Sequence, residues 1–184
     1  MQITVATRDD IPAMMDLESR NYVDHLTETE RADGFISILH EQRWFEDAVD
    51  AGGIHIATTD EGAVIGLIAV TAAPTGPHDH LPAIMQAMLR LTDNLEFDGK
   101  PLTQQRLAFR GPVVIERDYR GRGIYSTFND VTRSAYADRF DVAVLFVAAD
   151  NNKSIHTTTT KLGARPLAPF NVDGKRYQLL AFAF

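Results

Sequence analysis

The sequence predicts a mixed α/β fold with α+β-like features, and three observations carry that prediction. The run DVAVLFVAA at 141–149 is apolar almost throughout and of strand length, as a parallel strand covered on both faces requires. It follows a strand-like segment, RLAFRGPVVI at 106–115, and a helical stripe in which Ile124, Phe128, Val131 and Ala135 fall at i, i+4, i+7 and i+11. Strand, helix and strand in that order form a crossover unit, which is right-handed in nearly all proteins. The third observation is a pair of antiparallel hairpins, one before this unit and one after it.

In chain order, ITVA at 3–6 reads as a first strand. Asp9 and Asp10 followed by Pro12 mark a helix start, with Ile11, Met14 and Met15 behind it. A second helix ends near Ala51, where Gly52 and Gly53 stop it. IHIAT at 54–58, the turn DEG and AVIGLIAVT at 63–71 make the first hairpin, its second strand apolar enough to be central. APTGPHDHLPA at 73–83 is a Pro-rich loop, and LPAIMQAMLRL after it forms a short helix, so 73–100 reads as a helix-loop insertion in one domain. Along 106–115, Leu107, Phe109, Val113 and Ile115 alternate onto one face, and Gly111-Pro112 interrupts the ladder, because proline donates no backbone hydrogen bond. NNKSIHTTTTKLG carries a further helix with Gly163 as its C-cap, and two closing strands are joined by VDGK at 172–175.

Composition sets limits on function. A chain of 184 residues with 45% hydrophobic and 23% charged residues suits one globular domain. No apolar run is long enough for a membrane span and the N-terminus lacks signal-peptide order, so the expected location is the cytoplasm with no membrane partner. The absence of cysteine removes disulfides, thiolate metal sites and a cysteine nucleophile. A net charge of -7 argues against a nucleic-acid partner. His78, Asp79 and His80 hold two metal-ligand types in the Pro-rich loop, but a third ligand is not identifiable and no metal is expected.

Against that acidic background, RDYRGRGIYSTF at 117–128 places Arg117, Arg120 and Arg122 within six positions. A strand that ends in an arginine- and glycine-rich turn and runs into a helix is an anion site: the first helical amides lack internal partners, and the helix dipole is positive there. Gly121 and Gly123 let a ligand approach the backbone, and arginine adds charge-assisted hydrogen bonds to phosphate oxygens. Neither G-K-S/T nor G-x-G-x-x-G occurs at this turn.

The segment Arg120-Gly121-Arg122-Gly123-Ile124-Tyr125 resembles the signature of the GNAT superfamily of acyl-CoA-dependent N-acyltransferases, with Tyr125 where the family has a small residue. A second segment, Asn152 through Lys161-Leu162-Gly163, is similar to the family's asparagine followed by a helix ending in K-L-G. The resemblance covers 54–184 and implies a central mixed sheet of about seven strands, flanked by helices, with splayed parallel strands at 106–116 and 141–149. It implies acetyl-CoA as acyl donor, its pyrophosphate held by the amides of Arg120, Gly121, Arg122, Gly123, Ile124 and Tyr125. Its pantetheine arm would pair with Val113, Val114 and Ile115, with Asn152 near the pantetheine amides and Lys153 or Lys161 at the 3′-phosphate. Asn152 is equally well read as a helix cap.

Catalysis in the family is direct transfer to an amine in a ternary complex. The family's proton-donating tyrosine lies four residues before the glycine of K-L-G, and that position is Thr159, a poor acid. His156, one helical turn away, is then the candidate donor, with Tyr125 and Tyr119 as alternatives. Glu116, at the end of the cofactor strand, is the candidate base, or else a partner of Arg117 or Arg110; Glu96 and Asp98 could border the acceptor. The expected partner is a small-molecule or peptide amine, with a homodimer left open. A non-catalytic acyl-CoA or nucleotide-binding module of the same fold is the alternative.

Overall fold

The computed structural model describes residues 1–75 and 81–184. The elements run β1 (Gln2–Val5), α1 (Ile11–Arg20), α2 (Glu28–Arg31), α3 (Gln42–Asp50), β2 (Ile54–Thr58), β3 (Val64–Ala72), α4 (Ala83–Thr92), β4 (Glu96–Phe97) and β5 (Lys100–Pro101). They continue with β6 (Leu107–Ile115), α5 (Ile124–Tyr136), β7 (Val142–Ala148), α6 (Asn152–Thr157), β8 (Arg165–Val172) and β9 (Lys175–Ala183). The chain makes two compact units, Met1–Thr71 with Arg110–Ser134 and Ala72–Phe109 with Ala135–Phe184. Seven strands share one mixed sheet in the order β1-β2-β3-β6-β7-β9-β8, and β4 and β5 form a separate two-stranded ribbon.

In the first unit, α1 begins where Asp10 accepts from both the backbone amide and the hydroxyl of Thr7, each at 2.8 Å, and Pro12 supplies a ready-made first-turn φ. Its apolar face buries Met14 and Leu17 against Phe45 and Ala48 of α3, Ile54, Ile56 and Leu67 of the hairpin, and Val114 of β6. The opposite sheet face packs Ala57, Ile65 and Ile68 against Ile124 and Phe128 of α5, with Val113 and Ile115 alongside. Gly66 permits that approach: a Cβ there would meet the Phe128 ring at 3.2 Å. The short helix α2 is closed by a Thr27/Glu30 capping box, a signal present in TETE at 27–30 that periodicity alone does not pick up in so short an element.

The face assignment along β6 differs from the alternation. Arg110 reaches α5, where its Nη2 donates to Asn129 Oδ1 at 2.7 Å, and Val113 and Ile115 pack on the same helix. Positions 110, 113 and 115 therefore share a face, so the period of two slips by one residue between them. Gly111, at φ 129°, supplies the slip, and Phe109 falls on the face opposite Val113. Antiparallel pairing with β3 spans the irregularity, with Ala73 N–H donating to Leu107 O at one end and Glu116 N–H to Ile65 O at the other.

In the second unit, β7 pairs along its whole length with β9, from Val142↔Ala183 to Ala148↔Tyr177. The β8–β9 hairpin turns through Asp173 and Gly174, both at positive φ, as VDGK predicts. A second Asp-Gly turn, Asp98-Gly99, makes the β4–β5 ribbon that follows α4. Parallel pairing of β6 with β7 covers Leu107, Ala108 and Phe109. Arg106 fixes that start by donating to Asp141 Oδ1 at 2.7 Å, which holds the Asp141 carboxyl down to about 2.

Candidate functional site

The arginine-rich turn is built by a short helical turn, Arg117–Tyr119, whose amide start is capped by Glu116: its Oε1 accepts from Arg117 N–H at 3.0 Å. Gly121 and Gly123 follow at φ 77° and 85°, left-handed values that strain any residue with a Cβ, although open space surrounds both. Their requirement is conformational. The first amide bond into α5 is Thr127 N–H to Gly123 O at 3.0 Å, so the amides of Ile124, Tyr125 and Ser126 are the orphan donors of the helix start, and the exposed residues Gly121 to Gly123 lead into them. That arrangement suits a pyrophosphate.

The three arginines divide. Arg120 turns back into the unit and donates to Ile115 O at 2.9 Å, Asp33 O at 2.8 Å and Asn21 Oδ1 at 2.7 Å; its burial lowers the guanidinium pKa. Arg117 pairs with Glu30 at 2.8 Å, and Glu30 is held down to about 2, chiefly by the Thr27 amide and hydroxyl and then by Arg117. Only Arg122 stays exposed at the turn, its guanidinium 4.9 Å from the Tyr119 ring centre. The turn's charge toward a ligand is therefore Arg122 and the amides, while Arg117 and Arg120 hold the turn in shape.

Glu116 pairs with neither the Arg117 nor the Arg110 side chain. Its second oxygen is bound by Arg20 Nη1 from the end of α1. Both of its oxygens are thus engaged, one in the ion pair and one in the capping bond, which leaves neither free to face an acceptor amine. Tyr125 turns its ring under Arg110, whose guanidinium lies 5.3 Å from the ring centre, and its hydroxyl is out of solvent. Arg110 is fully buried and its pKa falls by desolvation. Tyr125, in place of a small residue, thus closes a polar interior with Arg110 and Asn129.

In the second unit, the start of α6 is capped by Asn151, not Asn152: Asn151 Oδ1 accepts from Ser154 N–H at 3.1 Å, and Asn151 is buried. Asn152 and Lys153 are both exposed in the first turn and so are open to a ligand. The helix then widens into π geometry over Thr158–Leu162 and ends at Gly163, φ 76°. Thr159 spends its hydroxyl on the Ile155 carbonyl at 2.9 Å, a back-bond that removes its proton from use. His156 is exposed. Asp98 is bonded to Arg165 at 2.5 Å, and Glu96 is exposed on β4. His78, Asp79 and His80 lie outside the described residues; among the described residues no three metal-ligand side chains gather. Nor is any helix of those residues long and apolar enough to cross a membrane.

No family model and no curated protein matches the sequence. Solved structures do match it. A Streptococcus mutans protein, smu.2055, superimposes with a TM-score of 0.67 at 12% identity over 100% of this chain and 99% of its own. A Streptococcus agalactiae acetyltransferase of the GNAT family gives 0.65 at 15% identity, over 100% of this chain and 95% of its own. The chain has the GNAT fold. Arabidopsis thaliana NAA60, solved in complex with acetyl-CoA, gives 0.63 at 15% identity over 100% of this chain and 98% of its own. At such identities the likeness concerns the fold, and the site rests on the residues described above.

Proposed function

We propose that this GNAT-fold chain transfers an acyl group, most simply acetyl, from CoA to an amine. The observation that carries the reading is the turn at 121–125, since the Arg120 amide expected to join it is instead bonded to Arg117 O at 3.1 Å: two left-handed glycines and a helix start present a row of amides, with Arg122 beside them, as a pyrophosphate requires. Backbone groups of Val113, Val114 and Ile115 would receive the pantetheine arm. Asn152 and Lys153 are assigned to the pantetheine and the 3′-phosphate. NAA60 with acetyl-CoA bound supports the same ligand class in this fold.

The amine nitrogen attacks the thioester carbonyl, and the thiolate departs with the sulfur's electron pair and takes a proton. Among the proposed proton carriers, Thr159 is back-bonded, Glu116 is ion-paired and the Tyr125 hydroxyl is inside, which leaves His156 and Tyr119 as donors. Those same commitments favour a second reading, a module that binds acyl-CoA without turnover.

Calorimetric titration with acetyl-CoA, CoA and ATP, followed by thiol release with an amine panel, tests both. Micromolar binding of the two CoA species, little of ATP and measurable release are expected. Binding without release selects the module, and no CoA binding overturns the site. Arg122→Ala should raise the CoA dissociation constant several-fold, about 1 kcal/mol, as expected for a single exposed phosphate contact.

A further inference from the structure

The first unit contains a carboxylate–imidazole pair that the reading above leaves unused. Glu18, in the last turns of α1, is 1% exposed, yet among the described residues no arginine or lysine pairs with it. Both its oxygens go to one residue: Oε2 accepts from His40 N–H at 3.0 Å and Oε1 meets His40 Nδ1 at 2.8 Å. With Glu18 as the acceptor, as an ionised carboxylate must be, Nδ1 is the donor of this bond and Nε2 is the ring nitrogen left over. The ring is fixed from the sides as well, with Trp44 3.9 Å away between ring centres and Phe45 at 6.1 Å. Nε2 makes no hydrogen bond with the described residues, and the His40 side chain is 17% exposed. Glu18 is the charged group facing the imidazole; its other ring neighbours are aromatic.

The place of this pair is as informative as its geometry. Trp44 and Phe45 belong to the apolar cluster that includes Val114 of β6, on the sheet face opposite α5. Two residues beyond Glu18, Arg20 binds Glu116 at the end of β6, and Asn21 binds Arg120 of the turn. The α1 end that carries Glu18 is thus tied to the strand and turn assigned to the acyl donor.

We propose that His40, oriented by Glu18, is the base that prepares the acceptor, an assignment that rests on the acyl-transfer reading. His40 Nε2 takes one proton from the incoming ammonium and leaves a neutral amine, and the buried carboxylate stabilises the imidazolium. The amine lone pair forms the C–N bond, the C–S bond breaks, the amine's second proton goes to the thiolate, and His40 returns its proton to water. The acceptor class is a cationic alkyl or peptide amine, because an arylamine is already neutral.

The test uses His40→Asn, whose Nδ2 keeps the bond to Glu18 while removing Nε2, and Glu18→Gln as a second variant. Turnover of acetyl-CoA is followed with phenethylamine, spermidine and an alanine-initiated peptide. At about pH 7, His40→Asn should lower kcat about 100-fold with acetyl-CoA affinity unchanged, and Glu18→Gln about tenfold. By about pH 10, where water leaves much of the alkylamine neutral, the deficit should shrink to a few-fold. A deficit constant with pH, or none, overturns the base role while leaving acyl transfer standing. No turnover by the natural chain with any of these amines ends the acyl-transfer reading and the base role with it.

Discussion

The turn at 117–125 and the helix at 151–163 both carry family-like motifs, but they are built differently. In the turn, every side chain that reaches back is bonded: Arg117 to Glu30, Arg120 to two carbonyls and Asn21, Glu116 to Arg20. The amides then stand on a frame that a ligand does not have to organise. In the helix, Asn151 caps the start and the threonine hydroxyls bond their own backbone, so the side chains left for chemistry are the exposed Asn152, Lys153, His156 and Lys161. Ligand binding through fixed backbone tolerates little change in shape, whereas function through exposed side chains tolerates much.

Three substitutions sharpen that contrast. Arg120→Ala should have the largest effect, because it strands Asn21 Oδ1 and two carbonyls; a loss of about 2–4 kcal/mol of stability, read by thermal or urea unfolding, is expected. Stability within error of the natural chain would mean that the turn is not held by this residue. Gly123→Val should cost about 1–2 kcal/mol through its left-handed φ and weaken CoA binding at least tenfold, since the amides it displaces are the ones assigned to pyrophosphate. Unaltered affinity in calorimetry would place the anion elsewhere. Thr159→Val should be the smallest, with kcat within about twofold, because its hydroxyl already donates to Ile155 O. A loss of tenfold or more would restore the hydroxyl to the chemistry.

Legibility followed the range of the interaction. The strand at 142–148, the first half of the α5 stripe at Ile124 and Phe128, the C-cap at Gly163 and the Asp173-Gly174 turn are local patterns, and they stand where hydrophobic period and turn chemistry place them, whereas farther along α5 Ala135 is exposed and Thr132 and Tyr136 are the buried residues. The phase slip in β6 was not legible: alternation is a rule for regular strands, and one residue at Gly111 reverses which face Phe109 and Val113 share. The helix cap was off by one, since adjacent asparagines offer the same chemistry and only backbone direction chooses Asn151.

By itself, then, the sequence determined the mixed α/β elements, their order and the arginine–glycine turn at a helix start, because each depends on neighbours within a few residues. Tertiary structure alone decided which arginine faces outward, that Glu116 is taken by Arg20, and that Glu18 meets His40. Those outcomes depend on which long side chains share a buried space after the chain has closed: Arg20 and Glu116 are 96 positions apart, Arg120 and Asn21 are 99, and no periodicity extends across such distances.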